Sequence, residues 1–143
     1  MSRTALIIIS LFTLTACGGG DDTSENAVSP STAIANMTSM ERGAILYKRC
    51  KACHTLDEGE RHKVGPNLWG VFGQTAGARE DFNYSTAMAG SDIIWDDTTV
   101  SAYLTRPSEY IPGNRMSYAG LRKEEDRLAL IEYLRANTGA SGS

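Results

Sequence analysis

Apolar positions follow a helical period in some stretches of the chain and no regular period in others. Near the C-terminus, Leu130, Tyr133 and Leu134 stand at i, i+3 and i+4, which lays an apolar stripe along one helix face. Glu124, Glu125 and Asp126 precede that stripe, where carboxylates complement the helix dipole. This pattern predicts a helix over residues 123–137. A second helix is predicted over residues 40–51, capped by Ser39, with Gly43 and Tyr47 on one face. A glycine inside a helix costs about 1 kcal/mol relative to alanine, so Gly43 points to close packing against another backbone. Asp96 or Asp97 caps a third helix running to residue 105, and Pro107 ends it, because the residue before a proline avoids helical angles. A short helix is predicted over residues 84–89.

Residues 56–94 read as loops, punctuated by Gly59, Gly65-Pro66, Gly70, Gly73, Gly77 and Gly90. No run alternates apolar and polar residues convincingly with the period of a strand. The expected class is therefore all-α: helices and long loops around a small core. Such a core leaves room for a bulky apolar group in its middle.

The N-terminal pattern differs. One positive charge, Arg3, precedes a run of roughly ten mostly apolar residues over 5–14, the anatomy of an export signal. That run is short for a bilayer, which needs about 20 residues. The junction Leu14-Thr15-Ala16-Cys17 resembles a bacterial lipobox. In signals of that family the cysteine is acylated and becomes the mature N-terminus. The resemblance implies that residues 1–16 are a lipoprotein signal peptide and that Cys17 is lipidated. The alternative is a short buried hydrophobic helix with a free Cys17. Residues 17–36 are rich in Gly, Ser, Thr, Asn and Asp and bury too little to order themselves, so they read as a flexible tether. The folded domain is expected over residues 37–138, with residues 139–143 as a tail.

Composition adds exclusions. A chain of 143 residues is of one-domain length. A formal net charge of −3 has the wrong sign for nucleic-acid binding. The three cysteines, Cys17, Cys50 and Cys53, are an odd number and each has a separate expected task, so no disulfide framework is expected.

The chemistry centres on Cys50-Lys51-Ala52-Cys53-His54. C-x-x-C-H reads as a c-type haem attachment site. Two thiols at this spacing can add to the two vinyl groups of one porphyrin, and the adjoining histidine presents its imidazole to the iron. A thioredoxin-like redox pair would need an α/β context that this pattern lacks. A closed zinc site would need four ligands; His62 could join Cys50, Cys53 and His54, but His54 follows Cys53 too closely for common finger spacings. Export agrees with the haem reading, since bacteria attach c-type haem outside the cytoplasm.

The other face of the iron could be taken by the second histidine, by a methionine, or left open. The methionines of the expected domain are Met37, Met40, Met88 and Met116. Most methionines are core filler. Met116 differs in following Pro112-Gly113, a tight turn that can hold a neighbouring side chain rigidly.

Several separate motifs, in one order, resemble a class I, mitochondrial-type cytochrome c in its bacterial form. They are Cys50 to His54, Gly65-Pro66-Asn67-Leu68-Trp69-Gly70-Val71-Phe72-Gly73, Phe82-Asn83-Tyr84-Ser85, Trp95, Tyr103-Leu104, Tyr110 to Met116, and Leu130-Ile131-Glu132-Tyr133-Leu134. The resemblance covers nearly all of residues 37–137. It implies the class I cytochrome c fold around one covalently bound haem c, with His54 and Met116 as the axial iron ligands. Pro66 would accept a hydrogen bond from His54, fixing its tautomer. Tyr84 and Trp95 would bond a haem propionate, and Tyr103 would lie beside the Met116 sulfur. Gly43 and Tyr47 would pack on the last helix near Leu130 and Tyr133. His62 would be structural, bonding a loop carbonyl. Three positions depart from the family: Gln74 stands where an arginine is frequent, Met88 where an asparagine is common, and Asn114 where a threonine is frequent.

Two filled axial positions keep substrates from the iron, and a thioether ligand raises the potential. The resemblance therefore implies a one-electron carrier and not an enzyme. It would run between a quinol-oxidising cytochrome bc complex and a terminal oxidase, or use another reductase. Arg49, Lys63, Arg115, Arg122 and Lys123 match the family's basic docking ring, although Ser108 and Glu109 interrupt it. The lipid anchor would hold the carrier to a membrane on the bacterial periplasmic side. The rival readings are a haem subunit of a larger membrane redox complex, and a haem peroxidase if Met116 is labile.

Overall fold

The structure is a computed structural model that describes residues 37–139. The expected signal peptide, Cys17 and the tether lie outside the described residues, as does most of the tail. Among the described residues five helices follow in order: α1 Ser39–Tyr47, α2 Thr86–Ala89, α3 Asp97–Thr105, α4 Pro107–Tyr110 and α5 Glu124–Asn137. The described residues contain no strand, only an isolated antiparallel bridge between Thr75 and Ile94. No helix among them is long and apolar enough to cross a membrane.

The helix ends follow local chemistry. Thr38, not Ser39, caps α1: its hydroxyl accepts from the Glu41 amide at 3.2 Å, and the Glu41 carboxylate accepts from the Thr38 amide at 2.8 Å. This reciprocal box needs an acidic or amide residue three places on, and only a Thr38 start supplies one. The helix ends at Tyr47, earlier than expected, and the chain continues in tight turns, with the Cys50 and Lys51 amides both donating to the Tyr47 carbonyl. Ser85 caps α2, which starts two residues later than expected. Asp96 caps α3, accepting from the Thr99 amide at 2.7 Å. Such caps each stabilise by about 1 kcal/mol. Pro107 does more than end α3. It is the first residue of α4, where its missing N–H costs nothing.

α1 crosses α5 at Gly43. A Cβ at that position would lie 2.6 Å from the Tyr133 Cβ and closer still to the Ala129 carbonyl oxygen. Only hydrogen fits there, which accounts for a residue of poor helix propensity inside α1. The Tyr47 and Tyr133 rings pack 5.5 Å apart, and Arg42 pairs with Asp126 at 2.6 Å. On the other side, Arg135 of α5 reaches Asp97 of α3 at 2.6 Å.

The buried apolar residues form two groups. Tyr47, Leu56, Leu121, Leu130 and Leu134 form one at the α1–α5 crossing. Ala76, Trp95, Tyr103 and Ile111 form the other around α3. Between and beside them run the long loops, organised by the buried Asn67. Its Nδ2 donates to the Thr55 hydroxyl at 2.9 Å and the Asp57 carbonyl at 2.8 Å, while its oxygen accepts from the Trp69 amide at 2.6 Å.

Candidate functional site

Residues of both apolar groups line one cavity of about 790 Å³. Leu68, Leu130 and Leu134 come from one side; Met88, Trp95, Val100 and Tyr103 come from the other. Cys50, Cys53, His54 and Met116 all lie on its wall. A cavity of this size falls in the range of cofactor sites, which combine apolar walls with a few placed polar groups.

The turns after α1 bring Cys50, Cys53 and His54 to the cavity. The Cys53 and His54 amides both donate to the Cys50 carbonyl at 2.9 Å. Both thiols are free and half-buried. Burial raises the Cys50 thiol above its ordinary value, Cys53 adds to that, and Arg49 opposes it.

His54 is held from several directions. Its Nδ1 lies 2.7 Å from the Pro66 carbonyl. A carbonyl can only accept, so Nδ1 carries the proton and Nε2 keeps its lone pair. Burial lowers the imidazole below its usual range, against the opposing pull of the Pro66 bond, and Lys63 lowers it further. A neutral imidazole with Nδ1 engaged is the form that can ligate a metal through Nε2. Gly65 lies flat against the ring: a Cβ there would sit 2.8 Å from each ring nitrogen. The Gly65 amide bonds the Cys53 carbonyl at 2.8 Å, and the Leu68 amide bonds the Thr55 carbonyl at 2.9 Å. The Tyr47 hydroxyl donates to the His54 carbonyl at 3.2 Å.

Met116 reaches the cavity from the loop after α4. Gly113 in that loop has φ +87°, a left-handed conformation that glycine adopts without strain. The Tyr103 hydroxyl lies 3.7 Å from the Met116 sulfur. Burial pushes the Tyr103 phenol up to about 12, so it stays a proton donor.

The structure brings the expected residues together unevenly. Pro66, Tyr84, Trp95 and Tyr103 line the cavity with the ligand candidates. Of the expected docking residues, Arg49 and Arg115 lie on its wall. Lys63 is exposed beside the wall residues Val64 and Gly65, whereas the exposed Arg122 and Lys123 do not contribute to the wall. His62 corrects its expectation. Its Nδ1 accepts the Asn67 amide at 2.8 Å, so it bonds a loop N–H and not a loop carbonyl. Its Nε2 faces the Asp81 carboxylate at 3.1 Å, too obliquely for an aligned hydrogen bond. With Nδ1 accepting, Nε2 carries the ring proton and points it toward that carboxylate. Neither Asn67 nor Asn114 was read from the sequence as a hub of hydrogen bonds. The signal for Asn114 was its departure from the frequent threonine.

Among the described residues no group of three or more His, Cys, Asp or Glu is placed to hold a metal ion, so Cys50, Cys53, His54 and His62 do not converge as a zinc set. The two thiols, the neutral imidazole, the thioether and the apolar walls instead fit a porphyrin held covalently.

The sequence model of the cytochrome c family matches residues 40–138. The chain belongs to the cytochrome c family. It is 45% identical to the cytochrome c of Kluyveromyces lactis over 97 residues, covering 67% of this chain and 88% of that protein. It is 46% identical to the cytochrome c of Stellaria longipes over 99 residues, or 68% and 92% of the two chains. A cytochrome c2 of Agrobacterium tumefaciens is 44% identical over 96 residues, or 65% and 86%. As a cytochrome c, the chain binds one covalently attached haem c and carries electrons; it is not an enzyme. Its helical architecture is that of the class I fold.

Proposed function

We propose that this cytochrome c is a membrane-anchored carrier moving single electrons from a quinol-oxidising cytochrome bc complex to a terminal oxidase. In this reading Cys50 and Cys53 form the thioether links, and His54 and Met116 ligate the iron. The observation that carries it is the single apolar cavity on which all four side chains lie. When bound, the haem supplies a metal centre that gains and loses one electron.

The residues around it do the rest. Pro66 keeps His54 in the tautomer that offers Nε2. The apolar walls exclude water, which with a thioether ligand favours the ferrous state and raises the potential. Tyr84 and Trp95 would bond a propionate, as in the family resemblance. Arg49, Lys63 and Arg115 surround the cavity mouth or lie near it, and their charge would steer an acidic partner more than tighten its binding. Arg122 and Lys123 would extend that field at longer range.

Cys17 would carry the lipid anchor, and residues 17–36 would tether the domain to the periplasmic side of a bacterial membrane. A flexible chain of about 20 residues has a reach of roughly 25 Å, which would let the domain search for partners near the surface.

The test mixes the purified full chain with a solubilised bc complex and quinol. Reduction of one haem per chain, slowed by added salt, is expected; no reduction would overturn the pathway. Cys17→Ser should release the protein from membranes, and unchanged fractionation would remove the anchor.

A further inference from the structure

One side chain joins the loop that carries Met116 to the two helices before it. The Asn114 Nδ2 donates to the Pro107 carbonyl at 2.7 Å and to the Ile111 carbonyl at 2.8 Å. These carbonyls begin and follow α4. The Asn114 Oδ1 accepts the Met116 amide at 2.9 Å. The Tyr103 hydroxyl, from α3, lies 3.5 Å from this Oδ1 and 3.7 Å from the Met116 sulfur. Asparagine offers two N–H donors and two acceptor lone pairs, and this site engages both donors and offers a partner to each lone pair. A threonine, with one hydroxyl donor, cannot serve both carbonyls at once.

We propose that Asn114 is the positioning residue of the Met116 thioether, clamping the backbone of that residue and sharing the Tyr103 proton with its sulfur. The proposal rests on the reading of Met116 as an iron ligand. It has two consequences. The clamp slows departure of the sulfur, because the loop cannot swing out while the Met116 amide is bonded. The sharing limits how strongly the phenol bonds the sulfur. An amide oxygen is a better acceptor than a thioether, so Tyr103 is drawn partly away and the sulfur keeps its electron density for the iron. Loss of the Asn114 oxygen would leave the phenol O–H with the sulfur as its sole acceptor of the two, strengthening that hydrogen bond.

The test uses ferric holoprotein, with added imidazole as the probe that displaces the thioether. Asn114→Ala should bind imidazole roughly tenfold faster, since several hydrogen bonds holding the loop are gone. Exchange of the Met116 amide hydrogen should accelerate in parallel. The sulfur-to-iron charge-transfer band should shift in Asn114→Ala, and the same substitution should leave it unshifted in a Tyr103→Phe background. Asn114→Thr, which can keep one acceptor, should fall between the parent and Asn114→Ala, and provides the measurement if the alanine variant fails to hold haem. A purely structural role would lower stability but move neither the band nor the imidazole rate. Unchanged rates and an unshifted band would overturn the proposal. A parent protein without the band would instead overturn the ligand assignment, and this proposal with it.

Discussion

The His54 and Met116 sides of the cavity are built differently. His54 follows directly on the turns that end α1, and its ring is fixed by a 2.7 Å bond to Pro66 and by the flat face of Gly65. The loop carrying Pro66 is stitched to residues 53–55 through backbone bonds. Met116 sits in an extended loop between α4 and α5. There backbone bonds from Asn114 to Ile111 and from Tyr118 to Met116 are joined by side-chain contacts from Asn114 and Tyr103 that reach the Met116 amide and sulfur. On the His54 side the ring bonds a backbone carbonyl, which substitution cannot remove, while on the Met116 side the contacts to the amide and the sulfur include side chains that substitution can remove. In the proposed site the His54, or proximal, side would thus fix the haem and the Met116, or distal, side would tune it.

The largest effect that would break this contrast is expected at Gly65. Gly65→Ala places a methyl against an imidazole that cannot turn aside without losing Pro66. Overpacking of this kind costs about 1–3 kcal/mol. Denaturant unfolding of the holoprotein should show that loss, together with a perturbed His54 environment. Unchanged stability would mean that the proximal wall is softer than described.

Tyr103→Phe comes next. It removes the phenol from the sulfur while keeping the ring against Trp95, which lies 5.1 Å away. The charge-transfer band should move, with stability changed by about 1 kcal/mol or less. A band that stays in place would uncouple Tyr103 from the distal ligand.

The smallest effect concerns the clasp behind the proximal loop. The His62 side chain holds the Asp81 carboxyl below its usual range. A depressed carboxylate contributes stability above its unfolded value and loses it as pH falls through the lower folded value. Asp81 is 76% exposed, so solvent screening keeps the contribution small. Asp81→Asn should make the acid side of the stability profile slightly shallower, as read by unfolding midpoints across pH. An unaltered profile would remove His62–Asp81 from the proximal support.

The sequence exposed these two sides unequally. C-x-x-C-H is local, so three of the site residues were legible from spacing alone. Met116 was less so: the Pro112-Gly113 turn set it apart from the other methionines, but a histidine or an open site remained as alternatives, and the family resemblance chose among them. Gly43 signalled a close backbone approach because it violates helix propensity, while the choice of α5 as its partner came from the family resemblance. α4 was missed because a proline that ends one helix can also begin the next. The partner of His62 was misread because a bond across two loops has no signature in spacing. The bonding of Asn114 depends likewise on how α3, α4 and the loop converge, which no single stretch encodes.

A redox titration with ligand-band spectroscopy tests most directly whether His54 and Met116 together ligate the haem iron. The parent should show the sulfur-to-iron band and a high potential; Met116→Ala should lose the band, titrate at a lower potential and bind added cyanide readily. A Met116→Ala protein with the band intact and no downward shift in potential would contradict the account.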